Sequence, residues 1–343
     1  MRILVVHPGP AWATADVYHG WCNGLHAAGC DVRTFNLDSR LDVYSTACRA
    51  DGTPIWPDGH EQVALVAHDL HGATFQFAPD WVLVIAPKLL PVWCYDTLRA
   101  RRVRVAMLHT ESPYLDVEQL VNAEHADLNL INDPTNIDQF REIGPVAYVP
   151  HAYDPARHCP GPSKWDVDFA WVGTAGATFP SRTRFFEQIC WPTSNVVLAG
   201  LWDGIPPTSP IHRFLTAAGT DGLMDNNDTV DLYRGTRISA NLYRSPGDHT
   251  DDTFDVGWAM GPREVELAAT GTFFARHSPA GHGGEGDQIL GMLPTFTEPG
   301  ELAEIIAHYL DHDDTRTRLA AEARAAVAVR TFKAHARTLI TQL

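Results

Sequence analysis

Short apolar runs alternate with longer stretches of helical periodicity along the whole chain. In the first half, the apolar runs predict strands at 2–6, 31–36, 81–86, 103–108, 128–132 and 146–150. The periodic stretches between them predict helices at 14–28, 60–73, 90–101, 116–125 and 135–142. This alternation is typical of α/β proteins with parallel sheets.

A second series of the same kind follows a segment rich in proline and glycine at 154–164, which we interpret as a linker. Strands are predicted at 168–173, 195–200, 238–243 and 272–275, and helices at 181–190, 262–269, 299–311, 313–328 and 331–342. The doubled pattern predicts two Rossmann-like domains, at 1–155 and 165–330, whose parallel sheets face a central cleft. The C-terminal helix, within 331–343, is expected to pack back on the first domain.

The charge of the chain argues against nucleic acid as a partner. The 343 residues include 26 basic and 42 acidic ones, a net charge of −16. Up to residue 160 there are 11 basic and 19 acidic residues, and the remainder has 15 and 23, so each part carries −8. A protein that binds through phosphate-backbone neutralisation would need a basic domain or tail, and neither part has one.

Cysteine usage and apolar run length indicate the compartment. The six cysteines are scattered and form no Cys-x-x-Cys pair, which favours reduced thiols over a disulfide framework or a zinc site. No apolar run approaches the roughly 20 residues of a membrane span. The protein is therefore expected to be soluble and cytoplasmic.

The segment 257–274 has the pattern of a ligand-binding helix start. Gly261 and Pro262 are predicted to open a helix, whose first amides suit a diphosphate. Arg263, Glu266 and Thr270 would share one face of this helix. Arg263 can then bind a phosphate, and Glu266 can accept hydrogen bonds from ribose hydroxyls. An Arg–Glu pair on a capped surface helix would account for the same spacing.

The segment Arg263-Glu-Val-Glu-Leu-Ala-Ala-Thr-Gly-Thr-Phe-Phe274 resembles the donor-binding helix and strand of GT-B glycosyltransferases, and is most similar to the CgeB-like (spore-maturation-protein-like) branch of glycosyltransferase group 1. Further resemblances lie in Leu293-Pro-Thr-Phe-Thr-Glu-Pro-Gly-Glu-Leu302, in the tail Phe332-Lys-Ala-His-Ala-Arg337 and in the interdomain segment Tyr148-Val-Pro-His-Ala-Tyr-Asp154. Asp168-Phe-Ala-Trp-Val-Gly173-Thr174, followed by Arg182 and Arg184, resembles the opening strand and glycine turn of the donor domain.

The resemblance implies an enzyme that moves a sugar from a nucleotide-sugar donor to a hydroxyl acceptor on a glycan, a protein or a small molecule. The second domain would bind the donor and the first would shape the acceptor site. Glu266 would hold the donor ribose. The implied donor-binding residues are Gly173, Thr174, Arg182, Arg244, Gly261, Arg263, Glu266, His282 and Gly283. The nucleotide-sugar would be a co-substrate, with no resident cofactor and no metal, because helix dipole and cations would stabilise the leaving diphosphate.

One position departs from the family pattern. Related retaining enzymes carry a glutamate eight positions before the counterpart of Glu266, near the transferred sugar, and this chain has Trp258 there. Asp255 is close enough in sequence to act as the acid instead. Two alternatives stay open, namely a nucleotide-sugar epimerase on the same fold and a catalytically inactive GT-B-like binding protein.

Candidate acceptor-side residues follow the first-half strands, where parallel sheets bind ligands. His109 and Glu111 come after the strand at 103–108 and can act as a general base on an acceptor hydroxyl. Gly9, Thr14 and Asp16 follow the first strand. Local backbone hydrogen bonds would account for His109 and Glu111 equally well, and a helix N-cap role would account for either Thr14 or Asp16.

Two clusters of acidic residues and histidine, at 247–252 and 281–287, lack the fixed ligand spacing of a metal site. We interpret both as flexible polar loops. In the second cluster, the glycines around His282 and Gly283 would allow the backbone to approach a diphosphate.

Overall fold

The computed structural model describes residues 1–9, 12–215, 224–244, 257–278 and 283–343. The chain forms two compact units. The first comprises Met1–Ala152 and Thr331–Leu343, and the second comprises Tyr153–Arg330. The segment interpreted as a linker therefore belongs to the second unit.

The first unit is built on a six-stranded parallel sheet. Its strands are β1 (Arg2–Val6), β2 (Asp31–Phe35), β3 (Trp81–Ile85), β4 (Arg104–His109), β5 (Leu128–Ile131) and β6 (Val146–Tyr148). Their order is β2-β1-β3-β4-β5-β6, and all neighbours are parallel. Every residue of β3 is buried, as expected for a central strand covered on both faces.

Six helices of the first unit precede the second unit in the chain. They are α1 (Trp12–Ala27), α2 (Leu37–Thr46), α3 (Gly59–Phe77), α4 (Val92–Ala100), α5 (Asp116–Ala123) and α6 (Ile137–Ile143). The sequence pattern did not indicate α2, because Leu37 is the one buried residue of that helix and leaves no apolar stripe. Asn36 starts it by accepting a hydrogen bond from the amide of Ser39.

The second unit contains a five-stranded parallel sheet. Its strands are β7 (Val167–Val172), β8 (Val196–Ala199), β9 (Thr236–Asn241), β10 (Phe274–His277) and β11 (Thr295–Phe296), in the order β11-β10-β9-β7-β8. The strand predicted at 272–275 is β10, two residues later than expected. The hydrophobic core of the second unit is rich in aromatic rings, among them Phe169, Trp171, Phe186 and Trp202.

Helices cover this sheet as well. They are α7 (Pro180–Glu187), α8 (Asn226–Arg234), α9 (Pro262–Thr270), α10 (Glu285–Ile289), α11 (Pro299–Leu310) and α12 (Asp313–Ala326), with a short 3₁₀ turn at His212–Phe214. The sequence pattern missed α8 and α10. The first is mostly polar, and the second has only five residues.

The C-terminal helix α13 (Phe332–Ile340) belongs to the first unit, where it packs on α1. Two glycines of α1 permit the close approach. A Cβ atom at Gly20 would lie 2.1 Å from the ring of Phe332, and one at Gly24 would lie 2.6 Å from its backbone. Larger residues at either position would push α13 away from α1.

Within the described ranges, no helix is both long and apolar enough to cross a membrane.

Candidate functional site

The second sheet has a topological switch point between β7 and β9. After β7 the chain adds β8 on one side, and it then returns to add β9, β10 and β11 on the other. In open α/β sheets, ligands bind beyond the carboxyl ends of the strands at such a point. Gly173 and Thr174 directly follow β7, and Arg244 follows β9 by three residues. Three predicted donor residues therefore lie at this edge of the sheet.

Arg263 lies against the turn that follows β7. Its guanidinium carbon is 4.9 Å from the centre of the Trp171 ring, a cation–π distance. A Cβ atom at Gly173 would lie 2.6 Å from a terminal nitrogen of Arg263 and 2.5 Å from the Trp171 ring. Glycine at position 173 thus leaves the space that the guanidinium occupies. Sequence reasoning selected Gly173 and Arg263 separately and missed Trp171, which connects them.

Two further arginines flank the ring of Phe179. The guanidinium carbons of Arg182 and Arg244 lie 4.8 and 5.5 Å from its centre. Arg182 is buried and donates hydrogen bonds to the carbonyl oxygens of Thr174 (2.9 Å) and Leu242 (3.1 Å). It therefore joins the backbone segments that follow β7 and β9. Its two terminal nitrogens thus hold these segments in place, and its contact with a donor stays a prediction.

Glu266 lies one turn after Arg263 on α9 and keeps 28% of its side chain exposed. Its Oε1 is 3.9 Å from Nε2 of His158, a buried residue of the segment before β7. On the inner side of the helix, burial raises the pKa of the Tyr233 hydroxyl to about 12, and the charge of Arg263 opposes that rise. Arg263 and Glu266 therefore differ in their surroundings. Arg263 extends from α9 to the sheet edge, whereas Glu266 is partly exposed to solvent.

Two backbone amides directly before α9 are engaged by carboxylates of the protein. The amide of Gly261 donates to Oε2 of Glu264 at 3.0 Å, and that of Met260 donates to Oε2 of Glu285 at 3.0 Å. Pro262, the next residue, has no amide hydrogen. The expectation that the amide of Gly261 donates to the ligand is therefore corrected, because Glu264, the N3 residue of the same helix, accepts its hydrogen bond.

Glu264 is the centre of a buried polar network. It has no exposed surface, pairs with Nε of Arg276 at 2.9 Å and accepts a hydrogen bond from the Tyr243 hydroxyl at 2.5 Å. Arg276 also pairs with Asp287 at 3.0 Å. Gly286 makes room for this arginine, because a Cβ atom there would lie 2.1 Å from its terminal nitrogen. The network fixes the start of α9 to β10, and sequence reasoning missed it.

Glu285 holds the loop before α9 from a second side. Its Oε1 accepts a hydrogen bond from Arg330 at 2.5 Å, and its amide donates to the carbonyl of Trp258 at 2.7 Å. Both partners of the Glu285–Arg330 pair are buried. Trp258, at the position where retaining relatives carry a glutamate, is thus fixed through its backbone.

Asp255 and His282 lie outside the described residues. Gly283 is described, with a φ of +54°, and a Cβ atom there would meet nothing within 4 Å. Open space around Gly283 is compatible with backbone approach to a ligand, and its positive φ favours glycine.

His109, the predicted general base, ends β4 and is fully buried. Its Nε2 lies 2.8 Å from Oδ1 of Asn129, whose amide nitrogen donates to the carbonyl of Ala123. Burial lowers the pKa of His109 to about 4. The expectation is corrected, because a base must reach a substrate proton and His109 has no exposed surface. Glu111 is half-buried, and its amide donates to Oε1 of Gln119.

A buried polar cluster beyond β4 and β5 was also missed. Oδ1 of Asp116 accepts hydrogen bonds from Ser112 (2.6 Å) and Gln119 (2.7 Å), and Oδ2 accepts one from Asn136 (2.8 Å). Burial raises the pKa of Asp116. The cluster fixes the loop that carries Glu111. The signal for this cluster in the sequence is the run of polar residues that directly follows each of two apolar strands, β4 and β5.

The residues after β1 are also placed differently from expectation. Thr14 and Asp16 both lie inside α1, which begins at Trp12, so neither is its N-cap. Gly9 has a φ of +96°, and a Cβ atom there would lie 2.3 Å from Leu89. Its amide donates to Nδ1 of His7. Gly9 therefore serves a tight turn after β1.

Among the residues that the structure describes, no group of three or more histidine, cysteine or acidic side chains is arranged to hold a metal ion.

Part of the chain matches a known protein family. Residues 182–341, slightly less than half of the chain, match the model of a family described as glycosyl transferase-like. The matched range contains Arg263 and Glu266 and ends within the last residues of the chain. No curated protein matches the sequence significantly. The CgeB-like branch stays a prediction.

Solved structures share the fold over the full length. Sucrose-phosphate synthase from Thermosynechococcus elongatus is 13% identical, with a TM-score of 0.68 over 99% of this chain and 98% of the other. Anabaena HepE, solved in complex with UDP-glucose, is 12% identical, with a TM-score of 0.62 over 100% of both chains. A Listeria monocytogenes protein described as a candidate UDP-N-acetylglucosamine 2-epimerase is 11% identical, with a TM-score of 0.61 over 99% and 94%. The predicted GT-B fold, with two Rossmann-like domains, is confirmed.

Proposed function

We propose that this protein is a glycosyltransferase that moves a sugar from a nucleotide-sugar donor to a hydroxyl acceptor. The observation that carries the proposal is the position of Arg263 and Glu266. Both lie within the range matched by the glycosyl transferase-like family, and Arg263 contacts Trp171 and Gly173 at the switch point of the second sheet. Two similar structures were solved with UDP-glucose and with UDP, which supports a nucleotide-sugar as the donor.

In this proposal, the arginines bind and stabilise the diphosphate. Arg263 and Arg244 present guanidinium groups near the ends of β7 and β9. The charge of the neighbouring Glu264 is matched by Arg276, so it does not cancel theirs. Positive groups held in place by the fold stabilise the negative charge that develops on the leaving diphosphate. Glu266 accepts hydrogen bonds from the ribose hydroxyls in both substrate and transition state.

We assign acceptor binding to the first unit. With His109 excluded by burial, Glu111 remains as a candidate base at the end of β4. The hydrogen bonds around Asp116 and Gln119 hold its loop in place, which a positioned base requires. Asp255 remains a candidate acid near the transferred sugar.

A screen of UDP-, GDP-, ADP- and dTDP-sugars for thermal stabilisation tests the donor. The expected result is stabilisation by one nucleotide family and its loss in the Arg263→Ala variant. The proposal is wrong if no nucleotide-sugar stabilises the folded protein.

A nucleotide-sugar epimerase is the second candidate, favoured by the similarity to the Listeria protein. An epimerase converts the donor without an acceptor, whereas a transferase consumes donor in proportion to the glycosylated acceptor. Product analysis with and without acceptor separates the two. A protein that binds donor but produces neither product would be an inactive binding protein.

We also propose that no metal ion takes part in the transfer, because arginines supply the positive charge. Treatment of the active protein with EDTA is expected to leave the rate unchanged. A loss of rate that added Mg²⁺ or Mn²⁺ restores would overturn this part.

A further inference from the structure

A groove lies at the opposite edge of the second sheet from the candidate donor site. Its volume is about 550 Å³. Trp165 and Asp166 precede β7, Gly235 precedes β9, and Phe273 precedes β10. The groove is therefore at the amino ends of the strands, a strand length of roughly 20 Å from their carboxyl ends. A ligand here would be distinct from the donor.

Four arginines line the groove, namely Arg234, Arg237, Arg316 and Arg324. This concentration contrasts with a chain that carries a net charge of −16. Two of the four are matched by carboxylates. Arg237 pairs with Asp166 and Asp168, each at 2.9 Å, and Arg316 pairs with Asp313.

The other two guanidinium groups have no acidic partner among the residues that the structure describes. In the described parts of the chain, no carboxylate lies within 4.0 Å of Arg234 or Arg324. Arg234 donates from Nε to the carbonyl of Cys159 at 2.8 Å and from Nη2 to the carbonyl of Arg157 at 3.0 Å. These bonds fix the plane of its guanidinium and leave Nη1 for a ligand.

The backbone around the two arginines is closely packed. A Cβ atom at Gly161 would lie 3.3 Å from Nε of Arg234, and one at Gly271 would lie 3.2 Å from Pro160 and 3.9 Å from Cδ of Arg324. Arg234 thus lies against Gly161, and Arg324 lies beside Gly271, which itself packs against Pro160. Trp165 adds an aromatic ring to the wall.

We propose that this groove binds a small phosphorylated molecule, with its phosphate held by Arg234 and Arg324 and its organic part against Trp165. Two uncompensated guanidinium groups in a concave wall suit a phosphate, whose oxygens accept several hydrogen bonds from such donors. The packed segment beside Arg234 orients it before the ligand arrives, which reduces the entropic cost of binding. The site does not depend on the proposed transferase activity.

Titration calorimetry with inorganic phosphate and phenyl phosphate, in chloride buffer of constant ionic strength, tests the proposal. Wild type is expected to bind both, and phenyl phosphate more tightly. Arg324→Ala should weaken binding at least tenfold, and Arg324→Lys should restore part of it. Arg324 is exposed, so its replacement leaves the fold intact, which circular dichroism checks.

Two matched variants serve as controls. Arg318→Ala removes an exposed arginine of the same helix that pairs with Glu322 outside the groove, and it should bind like wild type. Arg263→Ala removes the candidate donor-site cation, which can itself take up phosphate, so Arg324→Ala should weaken the binding that remains in the Arg263→Ala background by the same factor. The proposal is overturned if wild type binds neither probe at millimolar concentration, if Arg318→Ala weakens binding as much as Arg324→Ala, or if Arg263→Ala alone abolishes it.

Discussion

At the scale of single residues, the site depends on which polar atoms remain available after folding. Glu264 and Glu266 are two positions apart on α9, yet one has no exposed surface and the other keeps 28% of its side chain exposed. The carboxylate of Glu264 binds groups within the protein, namely the Arg276 guanidinium, the Tyr243 hydroxyl and the Gly261 amide. Glu266 is the more exposed of the two, and it is the residue that we propose for the donor ribose.

Replacement of Glu266 tests this division. Glu266→Ala is expected to weaken nucleotide-sugar binding by about 1–3 kcal/mol, the contribution of hydrogen bonds to a charged group. Because the ribose contact is the same in substrate and transition state, the change should appear mainly in KM. Calorimetry with the nucleotide-sugar found by screening measures the first effect, and steady-state kinetics the second.

The control for this variant is Glu304→Ala, which removes an exposed glutamate of α11 and should bind the donor like wild type. Unchanged donor affinity in a folded Glu266→Ala protein would contradict the assignment.

His109 supplies a prediction about pH. Its pKa of about 4 in the folded protein lies below the ordinary value of 6.5, so the unfolded chain binds more protons between these two values. The free energy of unfolding should therefore fall as the pH falls from about 6.5 to 4, by as much as about 3 kcal/mol from this residue. Asp116, whose pKa is raised, acts in the opposite direction.

His109→Gln separates the two contributions, because glutamine can still donate to Asn129 and does not titrate. Hydrogen exchange of β4 and β5 should show a smaller loss of stability in acid for this variant than for wild type. Equal losses would mean that His109 is protonated in the folded protein.

At the scale of elements, α9 is held by buried charge. Arg276 keeps only 3% of its side chain exposed and has Glu264 and Asp287 as partners. Removing one partner of a buried ion pair leaves an uncompensated charge, which is far more costly than losing an exposed pair. The position of Arg263 at the sheet edge therefore depends on the carboxylate of Glu264, which is fully buried.

Glu264→Ala is accordingly expected to destabilise the second unit by about 3–5 kcal/mol. Replacing both partners, in Glu264→Leu with Arg276→Met, should cost less than the single change because no unpaired charge remains. Denaturant unfolding, monitored by hydrogen exchange of β9 and β10, measures the stability of the single and the double variant. A single variant no less stable than Glu304→Ala would contradict this role for the network.

The elements also show what sequence could predict. Strands such as β1 and β3 were predicted because they are continuous apolar runs, and α9 because Gly261 and Pro262 precede it. The short β11 and the mostly polar α8 carry no such pattern. The helix-start amides were assigned to a ligand because no periodicity reveals that Glu285, 25 residues away in the chain, reaches the amide of Met260.

At the scale of the whole molecule, two units could be predicted because each half of the chain has its own series of strands and helices and its own apolar core. That His109 is too deeply buried to act as a general base could not be predicted, since burial at the end of β4 depends on the side chains that pack around it. The pairing of Gly173 with Arg263 was equally hidden, because the two lie 90 positions apart in sequence and come together only in the folded second unit.

The division into units leads to a last prediction about where a nucleotide acts. A ligand present at 100 times its Kd stabilises the folded form by about 2.7 kcal/mol, and only in the part that binds it. When the preferred nucleoside diphosphate is bound, amide hydrogen exchange should therefore be slower in the second unit. The strongest slowing is expected at the turn after β7, the end of β9 and the start of α9. Peptides of Met1–Ala152 should exchange at unchanged rates. Arg263→Ala should abolish the protection, whereas Arg318→Ala, on the surface of α12, should retain it. Protection confined to the first unit would show that the nucleotide binds there and that the arginines at the second switch point serve another ligand.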